Sequence, residues 1–68
     1  MRETVSNLVN THRTRSNVTQ EELALAVGVS RQTIIAIEKG NYTPSVLLAL
    51  KIATYFKVSV ENLFTLKP

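Results

Sequence analysis

Arg31 and Gln32 are adjacent residues at the start of a predicted helix. An arginine can bind guanine through O6 and N7, and a glutamine can bind adenine through N6 and N7. The same helix face is predicted to expose Ile35 and Ala36, whose apolar groups could touch thymine methyls. This face therefore has side chains suited to base edges. Arg31 could equally hold a phosphate, and the other three residues are also ordinary on a helix surface.

The residues needed for catalysis or for metal binding are scarce. The 68-residue chain has one histidine, His12, no cysteine and no aspartate, which excludes a typical zinc site and leaves no arrangement of nucleophile, base and orienting group. Eight Lys and Arg residues against five acidic residues give a net charge of +3, which suits a polyanionic partner or simply aids solubility. We therefore expect neither an enzyme nor a bound cofactor.

Two short predicted helices position the Arg31–Gln32 pair. Thr19 and Glu22 have the spacing of a capping box, which marks the start of one helix. Gly28 then supplies the positive φ that a tight turn needs. Ser30 is a suitable cap for the next helix, predicted over Arg31–Lys39. The pattern predicts a helix, a short turn and a second helix over about residues 19–39.

The rest of the chain is predicted to be helical as well. Apolar spacing indicates a first helix over residues 5–16 and a fourth helix over Pro44–Phe56. Ser59 is placed to cap a short fifth helix that ends near Phe64, and residues 65–68 are expected to form a tail. No alternating strand pattern is evident. The predicted fold class is all-α, with five short helices in a single domain over residues 1–68.

Over residues 9–63, capping, turn and apolar residues follow one another in an order and spacing that match a known pattern. The residues are Arg13, Thr19, Gln20, Leu23, Ala24, Val27, Gly28, Val29, Ser30, Gln32, Thr33, Ile34, Ile37, Glu38, Gly40, Pro44, Ser45, Ile52, Ala53 and Leu63. In this pattern the chain resembles the Cro and phage-repressor type of helix-turn-helix protein, also called the xenobiotic-response-element family.

The resemblance implies roles for individual side chains on a DNA duplex. Arg31, Gln32 and Ala36 match positions that touch base edges in the family. The positions that approach phosphates, or support the backbone contact, are matched by Gln20, Ser30, Thr33, Lys39 and Asn41. Arg13 and Glu38 match a charged pair that ties the first helix to the recognition helix.

Three residues depart from the family pattern. Asn17 and Lys57 replace glycines, and Asn tolerates the left-handed backbone better than Lys does. His12 stands where many relatives have leucine. It is either a packed core residue or a pH-sensitive element, because histidine changes charge near neutral pH.

The chain has more apolar residues than a small monomer readily buries. We expect a two-fold homodimer whose interface lies on the fourth and fifth helices and the tail, formed by Leu47, Leu48, Tyr55, Phe64 and Leu66. The opposing hypothesis is that a tight core absorbs most of these side chains.

Together these features predict a sequence-specific regulator of transcription that binds double-stranded DNA as a homodimer, most simply as a repressor. No stretch approaches the ~20 apolar residues of a membrane span, so we expect a cytoplasmic prokaryotic protein that is associated with the nucleoid when bound to DNA. One alternative is an antitoxin that neutralises a partner protein and regulates its own operon. Another is a non-specific architectural or RNA-binding protein, which usually has more Lys and Arg.

Overall fold

The computed structural model describes residues 3–67, which form helices framed by two short strands. In chain order the elements are β1 (Thr4–Asn7), α1 (Val9–Arg15), α2 (Gln20–Val27), α3 (Arg31–Glu38), α4 (Val46–Phe56), α5 (Val60–Leu63) and β2 (Phe64–Lys67). Across these residues, none of the helices has the length and apolar character needed to cross a bilayer.

Hydroxyl side chains mark where the short helices begin. At α2 the capping box is complete, because Thr19 Oγ1 accepts from the Glu22 N–H at 3.0 Å and Glu22 Oε1 accepts from the Thr19 N–H at 2.8 Å. Both contacts with Thr19 hold the pKa of the Glu22 carboxyl below its ordinary value. Ser45 caps α4 through the Leu48 N–H at 3.1 Å, so this helix starts at Val46 rather than at Pro44.

Left-handed residues end two of the helices. Gly28 has a φ of 79° directly after α2, as its predicted turn requires. Lys57 has a φ of 58° after α4, a conformation that costs a residue with a Cβ more than it costs glycine. The backbone at Lys57 donates to the carbonyls of Ala53 and Thr54, which satisfies two of the carbonyls at the end of α4.

The core lies where α2, α3 and α4 meet, closed by α1 and α5. Its largest fully buried side chains are Leu23, Ile34, Ile37, Ile52, Leu63 and Val9. Leu48 belongs to this core and is only 7% exposed, so the prediction that it lies in a dimer interface is wrong. Phe64, expected in the same interface, is half-buried and packs against the core. Leu48 shares the inward face of α4 with the other buried residues of that helix, Ala49, Ile52 and Ala53.

The two ends of the described chain pair as a small antiparallel sheet. Val5 lies opposite Leu66 and Asn7 opposite Phe64, and the Leu8 N–H donates to the Leu63 carbonyl at 2.9 Å. The prediction of an all-α fold, with a helix from residue 5 and a tail from residue 65, is therefore wrong at both ends. Four-residue strands show too little alternation to be recognised, and they need each other as partners. Pro68 lies outside the described residues.

Candidate nucleic-acid interface

Packing of α3 against the core leaves one of its faces exposed. Ile34 and Ile37 are 0% exposed, which fixes the rotation of the helix about its axis. Arg31 and Gln32 are consequently exposed in the first turn. Ile35 and Ala36, expected on the outer face, are half-buried.

The first turn of α3 is capped by its own residues. Ser30 Oγ accepts from the Thr33 N–H at 3.2 Å and is hydrogen-bonded to Thr33 Oγ1 at 3.0 Å. Helix geometry leaves the N–H groups of Arg31 and Gln32 without partners inside the helix. Such free N–H groups, together with the helix dipole, attract anions. Ser30 and Thr33 therefore order the turn in which these N–H groups lie.

Gln20 lies beside this first turn. An open groove on the protein surface is lined by Arg13, Thr19, Gln20, Glu21 and Arg31. The Gln20 Nε2 group donates to Glu38 Oε1 at 3.2 Å. A side-chain amide carries two N–H donors, so this bond leaves one for a phosphate.

Lys39 and Asn41 lie at the opposite end of α3. Lys39 caps the helix, Asn41 follows the turn, and both side chains are exposed. The Asn41 N–H donates to the Ala36 carbonyl at 2.9 Å, which holds the turn against the helix. Helical rise separates Arg31 from Lys39 by about 12 Å. The two predicted groups of phosphate ligands thus stand about as far apart as the major groove is wide, about 12 Å.

An ion pair joins α1 to the last turn of α3. Arg13 Nε donates to Glu38 Oε2 at 2.6 Å, and Arg13 Nη2 donates to Glu38 Oε1 at 3.2 Å. The side chains are 13% and 6% exposed, respectively. Arg13 Nη1 also donates to the Val18 carbonyl at 2.9 Å, so the guanidinium braces the loop that leads into α2.

Glu38 collects further donors from two helices. Asn10 Nδ2 donates to Glu38 Oε1 at 3.0 Å, in addition to the bonds from Arg13 and Gln20. Burial by itself raises the pKa of Glu38, but these three hydrogen bonds and the positive charge of Arg13 outweigh it. The net effect is a pKa below the ordinary value, so Glu38 stays ionised and keeps its partners at neutral pH.

The sequence matches a protein family over most of its length. A helix-turn-helix family model matches residues 11–63. The chain belongs to the helix-turn-helix family. An uncharacterized HTH-type transcriptional regulator from Methanocaldococcus jannaschii is 55% identical over 60 residues, which cover 88% of this chain and 91% of that protein.

Two further proteins extend the family relationship. The cryptic phage CTXphi transcriptional repressor RstR of Vibrio cholerae is 31% identical over 58 residues, covering 85% of this chain and 52% of that protein. The crystal structure of the restriction-modification controller protein C.AhdI from Aeromonas hydrophila matches with a TM-score of 0.74 and 28% identity, covering 79% of this chain and 82% of that chain.

This helix-turn-helix protein is a transcriptional regulator with a DNA-binding domain, as the resemblance in the sequence implied. The expectation that it is not an enzyme is confirmed, because its relatives are regulators. None of the three proteins compared above is described as an antitoxin, which leaves that alternative without support.

The exposed apolar residues that were expected in the dimer interface lie in two places. Leu47, at 65% exposure, and Tyr55, at 39%, line a groove between α2 and α4. Leu66 is exposed on β2, opposite Val5. The structure thus separates residues that were expected to form one interface.

Several structural contacts were not anticipated from the sequence. Leu25 and Leu50 extend the apolar groove, and both are exposed. Asn10 joins the Glu38 network, and its spacing of three residues from Arg13 on one helix face was an available signal. Asn7 bonds to the Ile37 carbonyl, and no local pattern in the sequence indicates that contact.

Proposed function

We propose that this regulator reads a specific duplex sequence by placing the first turn of α3 in the major groove. The observation that carries the proposal is the exposure of Arg31 and Gln32 on a helix whose orientation is fixed by buried Ile34 and Ile37. Arg31 would bind guanine or a neighbouring phosphate, and Gln32 would bind adenine. Half-buried Ile35 and Ala36 offer apolar contact to thymine methyls.

Phosphate contacts on both edges of the groove would hold the helix in register. The capped first turn serves one edge, and Lys39 with Asn41 serves the other. Gln20, which bonds to Glu38 and lines a groove with Arg31, offers a further amide N–H. Phosphate contacts position a protein on DNA, whereas base contacts specify the sequence. Lys39 is the charged member of this set, so its contact should add to the salt dependence of binding.

We further propose that the regulator represses transcription as a homodimer in the cytoplasm, by occupying a promoter. The relative from Vibrio cholerae is named a transcriptional repressor. One recognition helix reads only a few base pairs, whereas two related by a two-fold axis read half-sites about 34 Å apart. Leu47 and Tyr55, exposed beside the groove between α2 and α4, supply an apolar face for pairing.

Selection of bound fragments from a random duplex library tests the recognition proposal. Wild type should enrich a palindromic motif, and Gln32→Ala should relax it at one position in each half-site. Asn62→Ala is a matched control, because it removes an exposed side-chain amide from α5. Binding to all fragments alike, with no enriched motif, would contradict sequence-specific recognition, and a motif without symmetry would contradict the dimer.

Sedimentation of the free protein tests the interface. Wild type is expected to be dimeric at tens of micromolar, and Leu47→Ser should shift it toward the monomer. Leu66→Ser is the matched control, because this leucine is about as exposed but lies on the terminal sheet. Dissociation by Leu66→Ser alone would place the interface on the sheet, and a monomeric wild type would exclude a stable free dimer.

A further inference from the structure

Asn7 joins three elements through one side chain. It is the last residue of β1, where it pairs with Phe64 of β2. Its Oδ1 accepts from the N–H of Val9, the first residue of α1, at 3.1 Å. Its Nδ2 donates to the Ile37 carbonyl in the last turn of α3 at 2.9 Å. The side-chain amide thus connects the terminal sheet, the start of α1 and the recognition helix.

The bond to Ile37 acts on a carbonyl that helix geometry leaves without a regular partner. The last four carbonyls of a helix have no intrahelical donor. The Ile37 carbonyl receives one bond from the Gly40 N–H at 3.0 Å, which belongs to the same local turn. Asn7 supplies a second bond, from a residue thirty positions earlier in the chain. The bond from Asn7 therefore ties this carbonyl directly to the terminal sheet, in addition to the bonds that tie Glu38 to α1 and α2.

Small tilts at this end of α3 become large displacements at the other end. The helix is about 12 Å long, so a tilt of about 5° at its last turn moves its first turn by about 1 Å. Hydrogen bonds to base edges tolerate only a few tenths of an ångström in donor–acceptor distance. The contacts of Arg31 and Gln32 would therefore depend on how firmly the last turn is held.

We propose that Asn7 is a positioning residue for DNA recognition. Its donor bond to the Ile37 carbonyl adjusts the angle of α3 within the packing and bonds that already anchor the last turn, and Asn7 does so from the sheet rather than from the recognition helix. This inference rests on the proposed function of α3 as the recognition helix.

Asn7→Ser tests the proposal, because it separates the two bonds. A serine hydroxyl can still accept from the Val9 N–H in the same type of local turn. It has no amide donor and is too short to reach the Ile37 carbonyl. The control, Ser6→Ala, removes a hydrogen bond of 2.9 Å between Ser6 and Thr65 in the same sheet without contacting α3. Both substitutions are neutral, so neither changes the attraction between protein and DNA charges.

Affinity for the selected operator should fall for one variant only. We expect Asn7→Ser to weaken binding by about three- to tenfold, because the shift of α3 would weaken about one neutral hydrogen bond between this helix and a base. Ser6→Ala should bind like wild type. Titrations are made at a temperature where all three proteins are almost entirely folded, so that a loss of stability alone leaves the affinity unchanged. In NMR spectra, the amide signals of residues 37–40 should move in Asn7→Ser and stay in place in Ser6→Ala.

The outcomes separate this inference from the proposed function. Equal affinity of wild type and Asn7→Ser for the operator overturns the role of Asn7 and leaves α3 as the recognition helix. Equal losses in Asn7→Ser and Ser6→Ala also overturn it, because the sheet as a whole would then be responsible. Wild type without any sequence preference contradicts the proposed function instead. If Asn7→Ser fails to fold, Asn7→Thr keeps the hydroxyl with a better strand propensity and takes its place.

Discussion

The two ends of α3 differ in their burial and in the residues that hold them. The last turn is buried: Ile37 is inaccessible and the Glu38 side chain is only 6% exposed. Side chains from β1, α1 and α2 bond to it, namely Asn7, Asn10, Arg13 and Gln20. In the first turn, Arg31 and Gln32 are exposed and the cap is local, between Ser30 and Thr33.

This difference shows how one short helix can serve both stability and recognition. An anchored end gives the helix a defined direction, and an exposed end lets side chains vary without disturbing the core. Substitutions in the last turn should therefore alter the free energy of unfolding, and those in the first turn should alter DNA affinity. Four experiments test this division between stability in the last turn and DNA affinity in the first.

Glu38→Ala should have the largest effect. It leaves the Arg13 guanidinium, which is 13% exposed, without its counter-charge. Because both residues are only partly buried, breaking the pair should cost about 3 kcal/mol of unfolding free energy, the lower end of the range for a buried pair. Urea denaturation followed by circular dichroism measures the loss. Asn10→Ala removes one exposed hydrogen bond to the same carboxylate and should cost about 1 kcal/mol. A Glu38→Ala loss no greater than this would contradict the anchoring role.

Arg31→Ala and Gln32→Ala should show the opposite profile. If each side chain makes a bidentate contact to its base, its removal costs about 1–3 kcal/mol of binding free energy. Stability should change by less than about 0.5 kcal/mol, because both side chains are exposed and outside the core. Fluorescence anisotropy with the selected operator and urea denaturation give the two numbers. A stability loss as large as the binding loss would show that the first turn is also structural.

Ser30→Ala and Ser59→Ala form a matched pair of cap removals. Ser30 caps α3, and Ser59 caps α5 through the Asn62 N–H at 3.2 Å. Each substitution should cost about 1 kcal/mol of unfolding free energy. Only Ser30→Ala should also weaken operator binding, since it disorders the turn that carries Arg31. Equal affinities of the two variants for the operator would show that the Ser30 cap does not support recognition.

The smallest expected effect is a difference in acid sensitivity. The pKa of Glu38 is lowered on folding, so its stabilising contribution is complete above its ordinary value of about 4.5 and is lost as the pH falls through the folded pKa. Glu38→Gln cannot titrate at this position. Its unfolding free energy should therefore fall less steeply below pH 4.5 than that of wild type. Parallel pH dependences, measured by urea denaturation, would show that Glu38 gains nothing from ionisation in the folded protein.

Much of the helix-turn-helix unit was predictable because its signals are local. The Thr19–Glu22 capping box, the left-handed Gly28 and the Ser30 cap each involve residues within one helical turn of one another. Ile34 and Ile37 are spaced for burial on one face of a helix, and both are 0% exposed. These short-range interactions are set by backbone geometry, which is why the bounds of α2 and α3 agree with the prediction to within one residue.

Errors arose where the outcome depended on residues distant in the chain. Leu48 was predicted to lie in an interface, but it is buried in the core with residues of other helices. Residues 5–7 have no strand signal in their own sequence, and they form a strand by pairing with β2. Apolar spacing describes which side chains share a face, but it does not say which neighbour covers that face.

Caps, left-handed turns and helical periodicity act over a few residues, so the sequence alone predicted where α2 and α3 begin, how the chain turns between them and that Arg31 and Gln32 are exposed, although it also placed half-buried Ile35 and Ala36 on the outer face. Tertiary structure alone decided the terminal sheet, the burial of Leu48 and the bond from Asn7 to the Ile37 carbonyl. Each of these joins segments that are far apart in the chain. They form only when packing brings the segments together, because neither partner is stable in that arrangement alone.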